Sequence, residues 1–118
     1  MASFLGIPVP DSLKPQSRVY DLKKRLDWGE PALTILDVRS REAFNTSHIT
    51  GAVSMPLVHL VGQARASLEL VRDIYVYGST DEESVMAADT LRKAGYQSVA
   101  ELQGGYAAWK AAGFPVEG

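Results

Sequence analysis

The chain has 118 residues, of which 46% are hydrophobic and 22% charged, with a net charge of −2. That length suits one domain with its own core, leaves no room for a second, and the apolar-to-charged balance excludes disorder. No basic excess points to nucleic acid or an anionic membrane, no apolar run reaches the ~20 residues that span a bilayer, and the lack of cysteine excludes disulfides, thiolate metal sites and a cysteine nucleophile.

The first residues, MASFLGIPVPDSLKPQS, lack the charged n-region and long apolar run of a secretory signal, so the expected location is cytoplasmic. Prolines at 8, 10 and 15 mark residues 1–16 as an extended N-terminal segment, followed by a single domain over 17–118. Ser17 is placed to cap a helix with Val19, Leu22 and Leu26 along one side. LTILDV, residues 33–38, is a short apolar run of the kind found in a strand covered on both faces. Residues 40–47 read as a short helix capped by Ser40, and 51–56 as a shorter strand ended by Pro56. A helix over 57–70 carries Leu57, Leu60, Val61, Ala64 and Leu68 at helical intervals, with Gly62 a modest weakness.

DIYVYG, residues 73–78, is the next strand. In the helix after it Ser84, Ala87, Ala88, Leu91 and Ala94 share a face, and Gly95 stands at the expected end. Residues 98–102 form a fourth strand, and 104–113 a last helix closed by Gly113 and Pro115. Strands alternating with helices imply an α/β fold, a mainly parallel sheet with helices on both faces. Ligands of such sheets bind outside the carboxyl ends of the strands. Here those ends carry Asp37 with Arg39, and the loop Gly78, Ser79, Thr80, Asp81, Glu82, Glu83, Ser84.

Three stretches resemble the rhodanese family in order and spacing. LDVRSREAFNTSHITGA (36–52) is similar to its first signature, LQGGYAAWKAAGFPV (102–116) to its carboxy-terminal one, and IYVYGSTDEESVMAADTLRKAGYQSV (74–99) to the strand, active loop and helix between. The resemblance covers nearly everything after residue 17 and implies a single-domain, three-layer fold with a largely parallel five-stranded sheet. It also implies that His48 is a structural histidine tying a loop to the strand. Family members with sulfurtransferase activity have a six-residue loop that begins with cysteine and commonly ends in arginine, followed by serine. Here the loop length is kept, but Gly78 stands at the nucleophile position, Glu83 at the arginine position and Asp81 at a common mid-loop glycine.

A persulfide relay needs a thiolate of lowered pKa held by backbone N–H groups and a helix dipole, which Gly78 cannot supply. An incoming thiosulfate or phosphate would also meet Asp81, Glu82 and Glu83, with like charges about 4 Å apart repelling by a few kcal/mol at intermediate dielectric. Thiosulfate sulfurtransferase activity is therefore not expected, nor is the family's cysteine-dependent phosphatase chemistry. Two readings of the acids stand side by side. Ser79 with Glu82, or Thr80 with Glu83, has capping-box spacing, and each acid in a first turn stabilises it by roughly 0.3–1 kcal/mol. Alternatively Asp81, Glu82 and Glu83 form an acidic recognition surface.

No metal is expected, since no histidine or spaced carboxylate set accompanies the acids, and no cofactor is called for. Asp37 and Arg39 are expected to pair within the chain, with Arg41 as another possible partner, and to hold the loops. Gly104 and Gly105 read as helix entry, Tyr106 and Trp109 as packing, and His59 as a surface or boundary residue. The expectation is a catalytically inactive domain that serves as a protein-interaction or regulatory module, with a protein partner and neither nucleic acid nor membrane. Two alternatives stay open: sulfur or anion handling with a thiol supplied by a partner, and a structural domain of a larger protein. Oligomeric state is not indicated.

Overall fold

The computed structural model describes residues 3–4, 7–8, 13–29 and 32–118. In chain order the elements are β1 (Ser3–Phe4), β2 (Ile7–Pro8), β3 (Gln16–Ser17), α1 (Val19–Asp27), β4 (Leu33–Asp37), α2 (Arg41–Thr46), β5 (His48–Ile49) and β6 (Val53–Ser54). A 3-10 turn (Leu57–His59) then leads into α3 (Leu60–Ser67), β7 (Asp73–Tyr77), α4 (Asp81–Lys93), β8 (Val99–Leu102), α5 (Gly105–Ala111) and β9 (Val116–Glu117). Much of the N-terminal segment expected over 1–16 lies outside the described residues; within it β1 pairs antiparallel with β2.

The central sheet has five strands in the order β3-β8-β7-β4-β6, every neighbouring pair parallel. β5 and β9 form a separate antiparallel ladder. Successive side chains of a strand point to opposite faces, and the two cores follow that alternation. Leu36, Val38, Ile74, Val76 and Val99 pack with Leu60 and Ala64 of α3 and with Ala87, Ala88 and Leu91 of α4. Ile35, Tyr75, Tyr77, Ala100 and Leu102 pack on the other face with Val19 and Leu22 of α1 and Trp109 of α5. This is the three-layer α/β architecture that the alternation of elements implies, and the runs over 33–38 and 73–78 carry apolar side chains on both faces because both faces are covered.

Two expectations need correction. Ser17 does not cap α1: it belongs to β3, where its carbonyl accepts from Gln103 N–H at 2.9 Å, and its hydroxyl donates to Arg18 O at 3.1 Å. The sheet ladder claims the residue, so the extended Arg18 precedes the helix without a side-chain cap. The helix expected over 57–70 is split and shorter. Leu57 N–H donates to Val38 O at 3.1 Å, which draws the first turn tight against the sheet, and α3 proper ends at Ser67. Among the described residues no helix is long and apolar enough to cross a membrane.

Trp109 anchors the α1/α5 layer. It is 1% exposed, its indole N–H donates to Pro115 O at 2.7 Å, and Phe114 meets its ring edge-on at 5.0 Å. Trp109→Ala is expected to destabilise the fold by about 3–5 kcal/mol in urea unfolding. Gly62 behaves in the opposite sense. A Cβ built there meets no atom within 4 Å, so Gly62→Ala should add about 0.5–1 kcal/mol of helix propensity, read as a raised unfolding midpoint.

Candidate functional site

The site lies where β4 and β7 end, beside the start of α5. Asp37, the last residue of β4, is completely buried, so its carboxylate requires a partner. Arg39 supplies it from two residues along the chain. Its Nε lies 3.1 Å from both Asp37 oxygens, its Nη2 2.7 Å from Oδ2, and its backbone N–H 2.9 Å from Oδ1. Nη2 also donates to Ser47 O at 2.7 Å, while the guanidinium lies 4.8 Å from the Tyr106 ring centre and 5.5 Å from that of Tyr77. Burial by itself would lower the Arg39 pKa, but the hydrogen bonds and charge of Asp37 outweigh it and hold the guanidinium above its ordinary range.

Burial, followed by the neighbouring Asp37 carboxylate, pushes the Tyr77 phenol far up, despite the Ile49 N–H that its oxygen accepts at 3.2 Å. Tyr106 closes the group by donating its hydroxyl hydrogen to Ser47 Oγ at 2.6 Å. The pair of Asp37 and Arg39 thus faces inward and holds loops together. Arg41 takes no part in that pair; its guanidinium lies 5.9 Å from the Phe44 ring.

His48 lies beside this group in sequence, with different contacts. Its ring stacks on Phe44 at 3.7 Å, Nδ1–H donates to Phe44 O at 2.7 Å, and Nε2 stands 3.3 Å from Glu117 Oε1. The same Glu117 oxygen accepts from Gly51 N–H at 3.2 Å. His48 therefore links the end of α2 to the β5–β9 ladder. His59 is exposed at the junction of the 3-10 turn and α3.

Residues 78–84 carry the chain from β7 into α4. Thr80 is the N-cap, its Oγ1 accepting from Glu83 N–H at 3.1 Å. Glu83 reaches one residue further back than in a capping box, and its Oε1 accepts from Ser79 N–H at 3.2 Å. Ser84 closes the turn from inside, accepting from Gly78 N–H at 2.9 Å and donating to Thr80 O at 3.1 Å. Asp81 Oδ1 accepts from Gly104 N–H at 2.9 Å, across to the start of α5. Of the three acids Glu82 alone has no hydrogen bond or ion pair among the described residues.

The loop has closed on the position of the absent side chain. A Cβ at residue 78 would stand 2.7 Å from Oε1, 2.8 Å from Cγ and 2.9 Å from Cβ of Glu83, distances that real Cβ atoms do not adopt. Gly104 is constrained in a different way: its φ is +75°, and a Cβ there would lie 2.5 Å from Ala108 Cβ, so only glycine turns the chain into α5 at this point. Two loop carboxylates, Glu83 and Asp81, thus accept from the backbone N–H groups of Ser79 and Gly104. No histidine bonds to Ser79 or Thr80 among the described residues, and no group of three or more His, Asp or Glu side chains there could hold a metal ion.

Sequence reasoning brought out residues 78–84 and Asp37 with Arg39, and the structure places both at one end of the sheet. It overlooked Tyr77, Tyr106 and Ser47 as the shelf around Arg39. The alternating pattern of β7 could have flagged Tyr77, since an aromatic hydroxyl at the buried end of a strand must find a partner.

A model of the rhodanese-like domain matches residues 18–112. The chain is 33% identical over 95 residues to the putative sulfur carrier protein YrkF of Bacillus subtilis, covering 80% of this chain and 50% of that protein. It is 35% identical over 81 residues to the thiosulfate sulfurtransferase GlpE of Shewanella oneidensis, covering 66% of this chain and 76% of that one. Several curated relatives are longer, and the chain spans 24% to 50% of their length. The solution structure of the rhodanese-like domain of the Alr3790 protein from Anabaena sp. shares 57% identity and superposes with a TM-score of 0.86 over 90% of this chain and 80% of that one. With the parallel sheet, the loop after β7 and the family match in agreement, the chain belongs to the rhodanese-like domain family.

Proposed function

We propose that this rhodanese-like domain does not itself transfer sulfur and serves as a protein-interaction or regulatory module in the cytoplasm, presenting the rim at residues 78–84. The observation that carries the reading is Glu83. Its side chain fills the space of a residue-78 side chain and bonds Ser79 N–H, in a chain with no cysteine to act as nucleophile. A carboxylate held there disfavours thiosulfate or a persulfide by like-charge repulsion, on the order of a few kcal/mol before solvent screening. Glu82 is what the rim offers outward: an exposed carboxylate fixed at the first turn of a well-packed helix.

The likeness to a thiosulfate sulfurtransferase and a putative sulfur carrier protein favours a second reading, sulfur handling with a thiol supplied by a partner. The greater length of several relatives suits a third, a structural domain within a larger protein.

Assayed with thiosulfate and cyanide, the natural domain is expected to form no thiocyanate above the blank; clear turnover would overturn the proposal. Gly78→Cys alone should stay inactive and lose about 1–3 kcal/mol of stability, because the new Cβ overlaps Glu83. Gly78→Cys with Glu83→Arg removes the carboxylate and supplies a cation, so detectable thiocyanate is expected despite the same overpacking at Cβ.

For the interaction role the informative change is Glu82→Lys, because reversing Asp81 or Glu83 would also break the loop's own hydrogen bonds. In affinity capture from cell extract, a partner held by the natural domain should be lost with Glu82→Lys while circular dichroism is unchanged. Equal capture by both would remove the acidic rim from the account.

A further inference from the structure

We infer that the small cavity between the β3–β8 edge of the sheet and the first turn of α4 receives the ammonium end of a lysine side chain from a partner protein. The inference rests on the interaction reading above and adds the chemistry by which the partner is held.

The cavity has a volume of about 80 Å³ and is lined by Gln16, Asp81, Ser84, Val85, Glu101 and Gln103. Glu101 is the anomaly in its wall. The alternation of β8 turns it to the same face as Val99, beneath α4, where a strand covered on both faces ordinarily carries an apolar side chain. It is 8% exposed, and among the described residues its side chain makes one contact, Oε2 with Arg92 Nη1 at 3.3 Å. That nitrogen is shared with Asp89 Oδ1 at 3.1 Å, and Nη2 of the same guanidinium donates to Val99 O at 2.8 Å and Pro15 O at 3.3 Å. Glu101 Oε1 therefore takes no hydrogen bond among the described residues. A carboxylate so far removed from water calls for a cation.

The rest of the lining suits the same occupant. Asp81 gives Oδ1 to Gly104 N–H at 2.9 Å and keeps Oδ2 open, and the carboxamides of Gln16 and Gln103 make no hydrogen bond among the described residues. Ser84 Oγ is committed to Gly78 N–H and Thr80 O, and among the described residues no Lys or Arg stands in the wall. Size then selects among cations. At ~30 Å³ for each water the space equals two or three waters, enough for an ammonium and the methylene beside it but tight for a planar guanidinium. An ammonium carries three N–H donors, and Glu101 Oε1, Asp81 Oδ2 and a carboxamide oxygen can accept them. Val85 gives the methylenes an apolar wall. A calcium ion takes roughly six to eight oxygens and has no use for a valine.

The test uses the full chain, isotope-labelled, titrated with lysine capped as its Nα-acetyl amide. Its Nε-acetylated form, the equally capped arginine, sodium chloride and calcium chloride serve as counterparts at matched ionic strength. Capped lysine should saturate, shift the amide signals of Gln16, 81–85 and 101–103, and bind about tenfold more tightly than the Nε-acetylated form and about threefold more tightly than arginine. Asp81→Asn and Glu101→Gln keep the oxygens that Gly104 and Arg92 use and remove only charge, so each should weaken lysine by about fivefold or more. Gln103→Lys, at an exposed position, sets a cation in the cavity from within the chain and should abolish binding without lowering the unfolding midpoint. Shifts matched by sodium chloride, equal binding of either capped counterpart, calcium taken in preference to lysine, or unchanged affinity in any of the three variants would overturn the inference. In affinity capture, a partner lost with Glu82→Lys yet kept with Gln103→Lys would sink the cavity and leave the interaction reading standing. If capped lysine bound there while the natural domain held no partner, the interaction reading would fall, and with it a protein as the source of the amine.

Discussion

A buried carboxylate at the end of β4 sets the terms for everything above the sheet. Asp37 has no exposed surface, and a charge in that position persists only if it is paired. Removing one partner of such a pair costs about 3–5 kcal/mol, although an apolar replacement of both can be neutral, so what the pair contributes is location more than stability. Satisfying Asp37 fixes the Arg39 fork, and that fork draws Ser47, Tyr77 and Tyr106 around it. Segments following β4 and α2, the end of β7 and the start of α5 therefore converge on one point. Tyr77 is the residue immediately before the loop, and with its hydroxyl held by Ile49 N–H the loop leaves the sheet at a defined place.

From that place the loop turns into α4 and is closed by its own side chains. The missing side chain at Gly78 and the inward carboxylate of Glu83 are one feature seen from two sides: the space emptied by the first is filled by the second. Ser84 and Asp81 extend the same logic, one bonding Gly78 N–H and the other Gly104 N–H. Two of the three carboxylates stabilise the helix start and the approach of α5, as acids near exposed helical N–H groups do, while Asp81 stays exposed beside Glu82, which has no hydrogen bond or ion pair among the described residues.

Much of the fold was legible because its strands are covered on both faces and its helices carry clear apolar stripes. LTILDV and DIYVYG read as buried strands, and the Ser40 hydroxyl does accept from Ala43 N–H at 3.2 Å as an N-cap should. β3 escaped notice because two residues, Gln16 and Ser17, carry no pattern of their own; they form a strand only because β8 offers a ladder. The β5–β9 ladder was illegible for the same reason. At the site, loop length and residue types pointed to positions 78–84, but the hydrogen bond from Gly104 to Asp81 spans 23 positions. The Arg39 shelf likewise joins the end of one strand to a helix near the chain's other end. Such contacts are tertiary, and no local spacing encodes them.

The outward part of the rim owes its position to the inward part. Ser84, Ala87, Ala88 and Leu91 are buried, and the small side chains among them let α4 lie close on β7 and β8. A helix seated that closely has little freedom to rotate, because its ridges and the sheet surface interlock. The periodicity that turns those residues inward turns Glu82 and Met86 outward, and places Glu83 and Thr90 on the flank between. Loop closure through Glu83 and the position of Glu82 are therefore set by the same packing. The backbone position of Glu82 thus follows from the burial of Ser84, Ala87, Ala88 and Leu91, just as the position of the loop's first residue follows from Tyr77 at the Arg39 shelf.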